Sequence, residues 1–142
     1  MKLQSLPCYC ATLRQAARAA TALYESALAD SGLHLTQYTA LQALKLAPNL
    51  TTTDLADLIG IDQTTATRTL ALIKKRGLIA SRRGEDRRER RWNLTSLGES
   101  VFGKAHPKWQ SAQAAFERRL GRSEALAFKR ASFQTASRLV AK

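Results

Sequence analysis

Between Thr51 and Leu97 the chain alternates in a way that few folds accommodate. Thr51-x-x-Asp54 opens a helix, because a Thr cap with a carboxylate three residues on resembles a capping box, although Glu or Gln is the usual partner. Leu55, Leu58 and Ile59 are expected to face a core, and Gly60 supplies a tight turn. Asp62 is a good N-cap for a second helix, with Ala66, Leu70 and Ile73 as its apolar stripe and Gly77 at its end. Leu78 to Arg82 read as a short strand, Arg83 to Arg90 as a hairpin tip with Gly84 supplying flexibility, and Arg91 to Leu94 as the return strand. Trp92 and Leu94 share one face of that strand. Helix, turn, helix and hairpin in this order can set a helix in one groove of a duplex and a loop in the next.

The flanks are helical. Tyr9, Leu13, Ala16, Ala17, Ala20, Leu23, Tyr24 and Ala27 recur at helical spacing, predicting a helix over Tyr9 to Ala29 with Pro7 near its start. Asp30-Ser31-Gly32 ends it. A second helix is expected after Thr36, read as its cap, with Tyr38, Leu41 and Leu44 inward and Pro48-Asn49 as its stop. Thr95 caps a long fifth helix reaching about Leu120 and lined by Leu97, Val101, Trp109, Ala112 and Phe116. Pro107 lies inside it, so a kink or break is expected near Gly103 to His106. Gly121 and Ser123 precede a last helix in which Leu126, Phe133 and Val140 recur every seven residues. These terminal stripes hold more apolar surface than one small lobe can cover, and a helical dimer interface would use it. The expected fold is mainly α with a small β-hairpin wing, a single domain over 1–142. Residues 1–34 and 99–142 are read as dimerisation helices, and 35–98 as a winged-helix lobe.

Charge supports that reading. The 142 residues carry 23 Lys and Arg against 11 Asp and Glu, a net charge of +12. Nucleic acid is the partner such a balance favours, with an anionic membrane second. Lys74 to Arg91 hold nine basic and three acidic residues, which focuses charge on the second helix and the hairpin. Gln63, Thr64, Thr65, Thr67 and Arg68 occupy the first turns of that helix. Gln pairs with adenine, Arg with guanine, and a Thr methyl touches thymine. Hydroxyls and free N–H groups at the helix start suit phosphate, and Thr51, Lys74, Lys75 and Arg76 add further contacts. The competing reading is a generic polar helix face. The tip, Gly84 to Arg91, is too basic for an ordinary turn, and arginine there suits a narrow minor groove. Asp86, Arg87, Arg88 and Arg90 are its candidate contact residues, with Asp86 expected to hold Arg88 by a salt bridge. A solvated charge run is the alternative.

These residues resemble a family. Asp54-Leu55-Ala56, Leu58-Ile59-Gly60, Asp62 to Arg68, Lys75 to Ile79, Asp86 to Arg91 and Leu94 to Gly98 are similar to the winged helix-turn-helix of MarR-type transcriptional regulators. The flanking helices resemble that family's dimerisation region, so the likeness covers nearly the whole chain. It implies a homodimer on a pseudo-palindromic operator, usually a repressor, with recognition helices about one helical turn, ~34 Å, apart. It also implies DNA contacts at Thr64, Thr65, Thr67, Arg68 and Arg88.

The resemblance further implies a small effector, commonly an aromatic acid or phenol, between the dimerisation helices and the lobe. Arg14, Arg18, Tyr24, His34, Tyr38 and Trp109 would line that pocket, and an arginine would pair a ligand carboxylate. Boundary residues satisfied within the protein are the alternative.

Cys8 and Cys10 offer a second input, because a helix start and Arg14 favour a thiolate that oxidises to sulfenic acid. The segment around Cys10 is also similar to the first helix of MarR-type sensors of organic hydroperoxides. Cys10 aligns with their reactive cysteine and Tyr24 with one tyrosine that bonds it, but Arg14 and Leu35 replace two other tyrosines. An intersubunit disulfide is easier than one between cysteines two apart. The alternative is that both are small apolar fillers. Metal binding by Cys8 and Cys10 with His34 or His106 fits no known zinc spacing, so neither metal nor cofactor is expected.

No phosphate loop, nucleophile elbow or paired His and carboxylate cluster points to an enzyme. No apolar run spans a membrane and no export signal is evident, so a cytoplasmic location is expected. A non-specific architectural DNA binder and a winged helix that binds protein are the rival functions.

Overall fold

The computed structural model describes residues 2–141. Its elements follow in the order α1 (Tyr9–Leu28), a 3-10 turn (Ala29–Ser31), α2 (Leu35–Leu46), β1 (Leu50–Thr51), α3 (Thr52–Ile59), α4 (Gln63–Lys75), β2 (Ile79–Arg83), β3 (Arg90–Leu94), α5 (Ser96–Leu120) and α6 (Arg122–Val140). The chain divides into two compact units, Leu28–Lys108 and Met1–Ala27 with Trp109–Lys142, and α5 belongs to both.

Apolar periodicity builds the Leu28–Lys108 unit. Tyr38, Leu41 and Leu44 of α2, Leu55 and Ala56 of α3, Ala66, Leu70 and Ile73 of α4, Leu78, Ile79 of β2 and Trp92 of β3 are all buried, and α2 packs against α3, α4 and β3. Each large side chain withdrawn from water contributes about 1.5–3 kcal/mol. The turn between α3 and α4 needs Gly60, whose φ of 74° is left-handed and costs a side chain dearly. Arg76 caps the end of α4, and Gly77 follows at φ 77°. The Gly77 N–H donates to Lys74 O at 2.9 Å and the Leu78 N–H to Ile73 O at 3.0 Å, a Schellman closure that delivers Leu78 into the core.

The sheet has three strands in the order β1-β3-β2, all antiparallel, so β3 is central. Sequence alone supplies the β2–β3 hairpin. The third strand, Leu50–Thr51, pairs with Trp92 and Arg91, and its two residues are too short to show an alternating pattern.

Several local expectations change. His34, not Thr36, caps α2, and its N–H donates to Gln37 Oε1 at 3.0 Å. Leu58 is 58% exposed, because the buried arc of α3 runs through Leu55 and Ala56 with Leu58 on its flank. Leu97 is likewise exposed rather than part of a lining stripe. Pro107 does not interrupt α5. The carbonyl it leaves without a helical donor belongs to exposed Gly103, where solvent can supply the bond.

In the other unit, α1, the end of α5 and α6 bury Ala112 and Ala125. Phe116 and Phe128 meet with centroids 6.4 Å apart, and the Tyr24 hydroxyl bonds Gln113 Oε1. Large side chains remain uncovered: Leu13, Leu126 and Phe128 are close to half exposed, and Phe133 is 74% exposed. Leu13, Leu126 and Phe128 line an open groove of about 700 Å³ that also reaches Tyr24, Trp109, Glu117 and Lys129.

Candidate nucleic-acid interface

The start of α4 is organised by Asp62. One carboxylate oxygen accepts the Thr65 N–H and the other the Thr65 hydroxyl, each at 2.8 Å. The first of these bonds, then the second, holds the Asp62 carboxyl below its ordinary range. The cap fixes where α4 begins, and its apolar stripe fixes which side faces out. Ala66, Thr69, Leu70 and Ile73 are buried, while Gln63, Thr64, Thr67 and Arg68 are exposed on the first two turns. Thr65 is only partly exposed and commits its N–H and O–H to the cap. Thr67 donates to Gln63 O at 2.9 Å, leaving its methyl for contact.

Other sequence candidates fall elsewhere. Thr51 is buried, pairs in β1 and accepts the Asp54 N–H at 3.0 Å as the cap of α3. It is therefore a structural cap rather than a surface contact. The Lys74 ammonium sits 5.9 Å from the centroid of Trp92. The Trp92 indole N–H donates to Thr52 Oγ1 at 2.9 Å, so one residue of β3 meets α3 and carries a cation from α4. Arg76 donates to Gly32 O at 2.8 Å, which ties the end of α4 to the turn before α2.

The wing sorts its arginines. Arg82 Nε donates to Asn49 Oδ1 at 2.9 Å, and Arg91 Nη1 donates to Asn49 O at 3.2 Å. Arg91 Nη2 also grips Glu89, 3.3 Å from each carboxylate oxygen. Arg90 donates to Ser81 Oγ at 3.2 Å. Among the described residues no bond occupies the side chains of Arg83, Arg87 and Arg88, which project from an exposed strand end and tip. Asp86 does hold Arg88, but through the backbone: its Oδ1 accepts the Arg88 N–H at 3.1 Å, and the expected salt bridge is not formed. A carboxylate two residues away in a tight turn reaches the main chain more easily than a long side chain pointing outward.

Asn49 was legible in the sequence only as part of a helix stop. Its backbone is left-handed, with φ 68°. An Asn after Pro beside a strand is the one available signal, since asparagine tolerates that region better than most residues.

The candidate effector residues do not converge on one cavity within either unit. Tyr24 and Trp109 line the 700 Å³ groove, but Arg14 and Arg18 are exposed and do not. Burial, then the Glu117 carboxylate, raises the Tyr24 pKa. His34 and Tyr38 belong to the other unit. There the buried Tyr38 hydroxyl lies 2.9 Å from His106 Nδ1, and its ring stacks on Phe102 at 5.2 Å. Burial pushes the Tyr38 pKa up to about 12.

Cys8 and Cys10 are both free thiols and both exposed. Cys8 precedes α1, and its Sγ accepts the Ala11 N–H at 3.5 Å while its carbonyl takes the Thr12 N–H. Arg14 Nη2 lies 3.6 Å from Cys10 Sγ. Among the described residues no cluster of His, Cys, Asp and Glu is placed to hold a metal, and no helix is long and apolar enough to cross a membrane.

A family model described as the MarR family matches residues 31–89. The M. tuberculosis transcriptional regulator MosR in complex with DNA is 34% identical, covers 93% of this chain and 97% of its own, and superimposes with a TM-score of 0.78. A second structure of that regulator gives 32% identity, 94% and 97% coverage and a TM-score of 0.80. BpsR of Bordetella bronchiseptica, whose DNA binding is regulated by 6-hydroxynicotinic acid, shares the fold with a TM-score of 0.79 at 24% identity, covering 88% of this chain and 96% of its own. No curated protein matches the chain significantly. The capped helix pair and hairpin, the family model and a relative matched along nearly its full length converge: the chain belongs to the MarR family of transcriptional regulators.

Proposed function

We propose that the chain is a sequence-specific DNA-binding regulator, a repressor that acts as a homodimer on a pseudo-palindromic operator. The observation that carries this reading is the division of α4. Its inner face is buried, while Gln63, Thr64, Thr67 and Arg68 stand together on the exposed first turns beside a wing tipped by Arg87 and Arg88. That pairing serves base edges with one element and a neighbouring groove or phosphate row with the other. The complex of MosR with DNA supports the partner class. The uncovered Leu13, Leu126, Phe128 and Phe133 support the homodimer, since a second copy would cover this apolar face.

Release by cysteine oxidation is the input we favour over a small aromatic effector. The exposed Cys10 thiol, 3.6 Å from Arg14 Nη2, supports it, because an oxidant can reach the sulfur. The thiolate takes one oxygen from a hydroperoxide, whose remainder leaves as the alcohol, and becomes a sulfenic acid after protonation. A second thiol, Cys8 or one from the partner, then forms the disulfide and releases water.

Selection of duplexes from a random pool by the purified protein tests the DNA reading. Enrichment of a two-fold symmetric sequence, with half-sites about 10 base pairs apart, is expected. A pool that stays random through the selection overturns it. Peroxide treatment of the wild type and of Cys8→Ser/Cys10→Ser separates the inputs. Loss of binding in the wild type alone supports the thiol switch, and unchanged binding returns the search to aromatic effectors.

A further inference from the structure

Asn49 stands in the connection between α2 and β1, and its N–H, carbonyl and side-chain oxygen all bond to the wing. Its N–H donates to Trp92 O at 3.0 Å, and its carbonyl accepts from Arg91 Nη1 at 3.2 Å. Its side-chain oxygen accepts from Arg82 Nε at 2.9 Å, with Asn93 Nδ2 at 3.5 Å. Arg82 and Arg91 are directly paired across β2 and β3, so one residue grips both strands of the hairpin at a single rung.

The grip continues outward. Arg91 holds the Glu89 carboxylate, the Glu89 N–H donates to Asp86 O, and the Glu89 carbonyl accepts the Gly84 N–H. Arg87 and Arg88 lie within the turn that these bonds close. The left-handed backbone at Asn49 is unfavourable for most residues, and it persists where surrounding bonds hold it. Here those bonds lead to the wing.

We propose that Asn49 is the positioning residue of the wing: by gripping Arg82 and Arg91 together, it fixes the tip in the pose in which Arg87 and Arg88 meet the duplex. This rests on the DNA-binding reading above. Arg82 and Arg91 are thereby assigned to holding the wing rather than to touching phosphate. Without Asn49 the tip arginines remain present, but binding must first order the turn that carries them.

Three substitutions separate this from a general packing role. Asn49→Gly keeps the left-handed backbone and removes the side-chain acceptor. Asn49→Asp keeps the acceptor. Arg87→Ala/Arg88→Ala removes the groups through which Asn49 is proposed to act. The probe is the duplex enriched from the random pool by wild-type protein.

Asn49→Gly is expected to weaken binding about tenfold, the ordering cost of roughly one further backbone residue. In the Arg87→Ala/Arg88→Ala background it is expected to weaken binding no further, and Asn49→Asp is expected to bind as the wild type does. Without DNA, the amides of Gly84, Arg88 and Glu89 in Asn49→Gly should exchange hydrogen about tenfold faster, with Leu70 and Ile73 of α4 unchanged. Wild-type affinity in Asn49→Gly, an equal loss in both backgrounds, or faster exchange throughout α4 overturns the proposal. Failure of the wild type to enrich any duplex overturns the regulator reading and this proposal with it, whereas the other adverse results overturn this proposal alone.

Discussion

The division of the basic residues into engaged and unengaged groups makes a quantitative prediction about salt. Each phosphate neutralised on duplex DNA contributes about 0.9 to the slope of log affinity against log salt. Arg76, Arg82, Arg90 and Arg91 are held by protein partners, Lys45 pairs with Glu99 at 3.3 Å, and Lys74 lies over Trp92. Around α4 and the wing this leaves Arg68, Lys75, Arg83, Arg87 and Arg88. One phosphate for each sets a ceiling of ~4.5 per protomer and ~9 for a dimer. Arg88→Ala removes one contact from each protomer, so the dimer slope should fall in magnitude by ~1.8. Arg91→Ala should lower affinity with the slope unchanged, because that guanidinium holds Asn49 and Glu89. Fluorescence anisotropy of a labelled duplex, titrated across a series of potassium chloride concentrations, reads both quantities. An unchanged slope for Arg88→Ala would remove the wing tip from the phosphate surface. A slope loss for Arg91→Ala equal to that for Arg88→Ala would refute the division itself.

Other substitutions test the scaffold. At Gly98 an added Cβ would run into the Leu78 carbonyl, so Gly98→Ala should destabilise the protein by about 1–3 kcal/mol in denaturant unfolding. Thr51→Ala removes the α3 cap and should cost about 1 kcal/mol in the same assay. Tyr38→Phe deletes the bond to His106 and should cost about 1 kcal/mol near neutral pH. Because burial holds the folded Tyr38 pKa above its unfolded value of 10.0, this residue's stability contribution is full below pH 10. It is lost as pH rises toward 12, an alkaline decline that Tyr38→Phe should lack and that equilibrium unfolding at stepped pH would measure.

Much of the fold is written in local chemistry. Thr51 and Asp62 announce the starts of α3 and α4, Gly60 and Gly77 their ends, and Leu55, Leu70 and Ile73 their inner faces. What escapes sequence reading depends on contacts distant along the chain. β1 exists because Leu50 and Thr51 meet Trp92 and Arg91, some forty residues on. The exposed flank of α3 at Leu58 depends on which arc α2 and α4 cover.

The same limit applies to the site. The charge run identifies the wing, but Arg82, Arg87, Arg88 and Arg91 look alike in sequence. Only the position of Asn49 separates the two that are held from the two that are not. Likewise Thr51 and Thr64 look equally available in sequence, and burial separates them.

If the exposed face of α4 reads sequence, the ratio of two affinities reports it. Binding of the enriched duplex is compared with binding of a scrambled duplex of equal length at physiological salt, for the wild type and for Arg68→Ala. A ratio of ~10³ or more is expected for the wild type, reduced by loss of the α4 side chain. Equal affinity for the two duplexes would contradict it, leaving a basic surface that binds DNA without reading it.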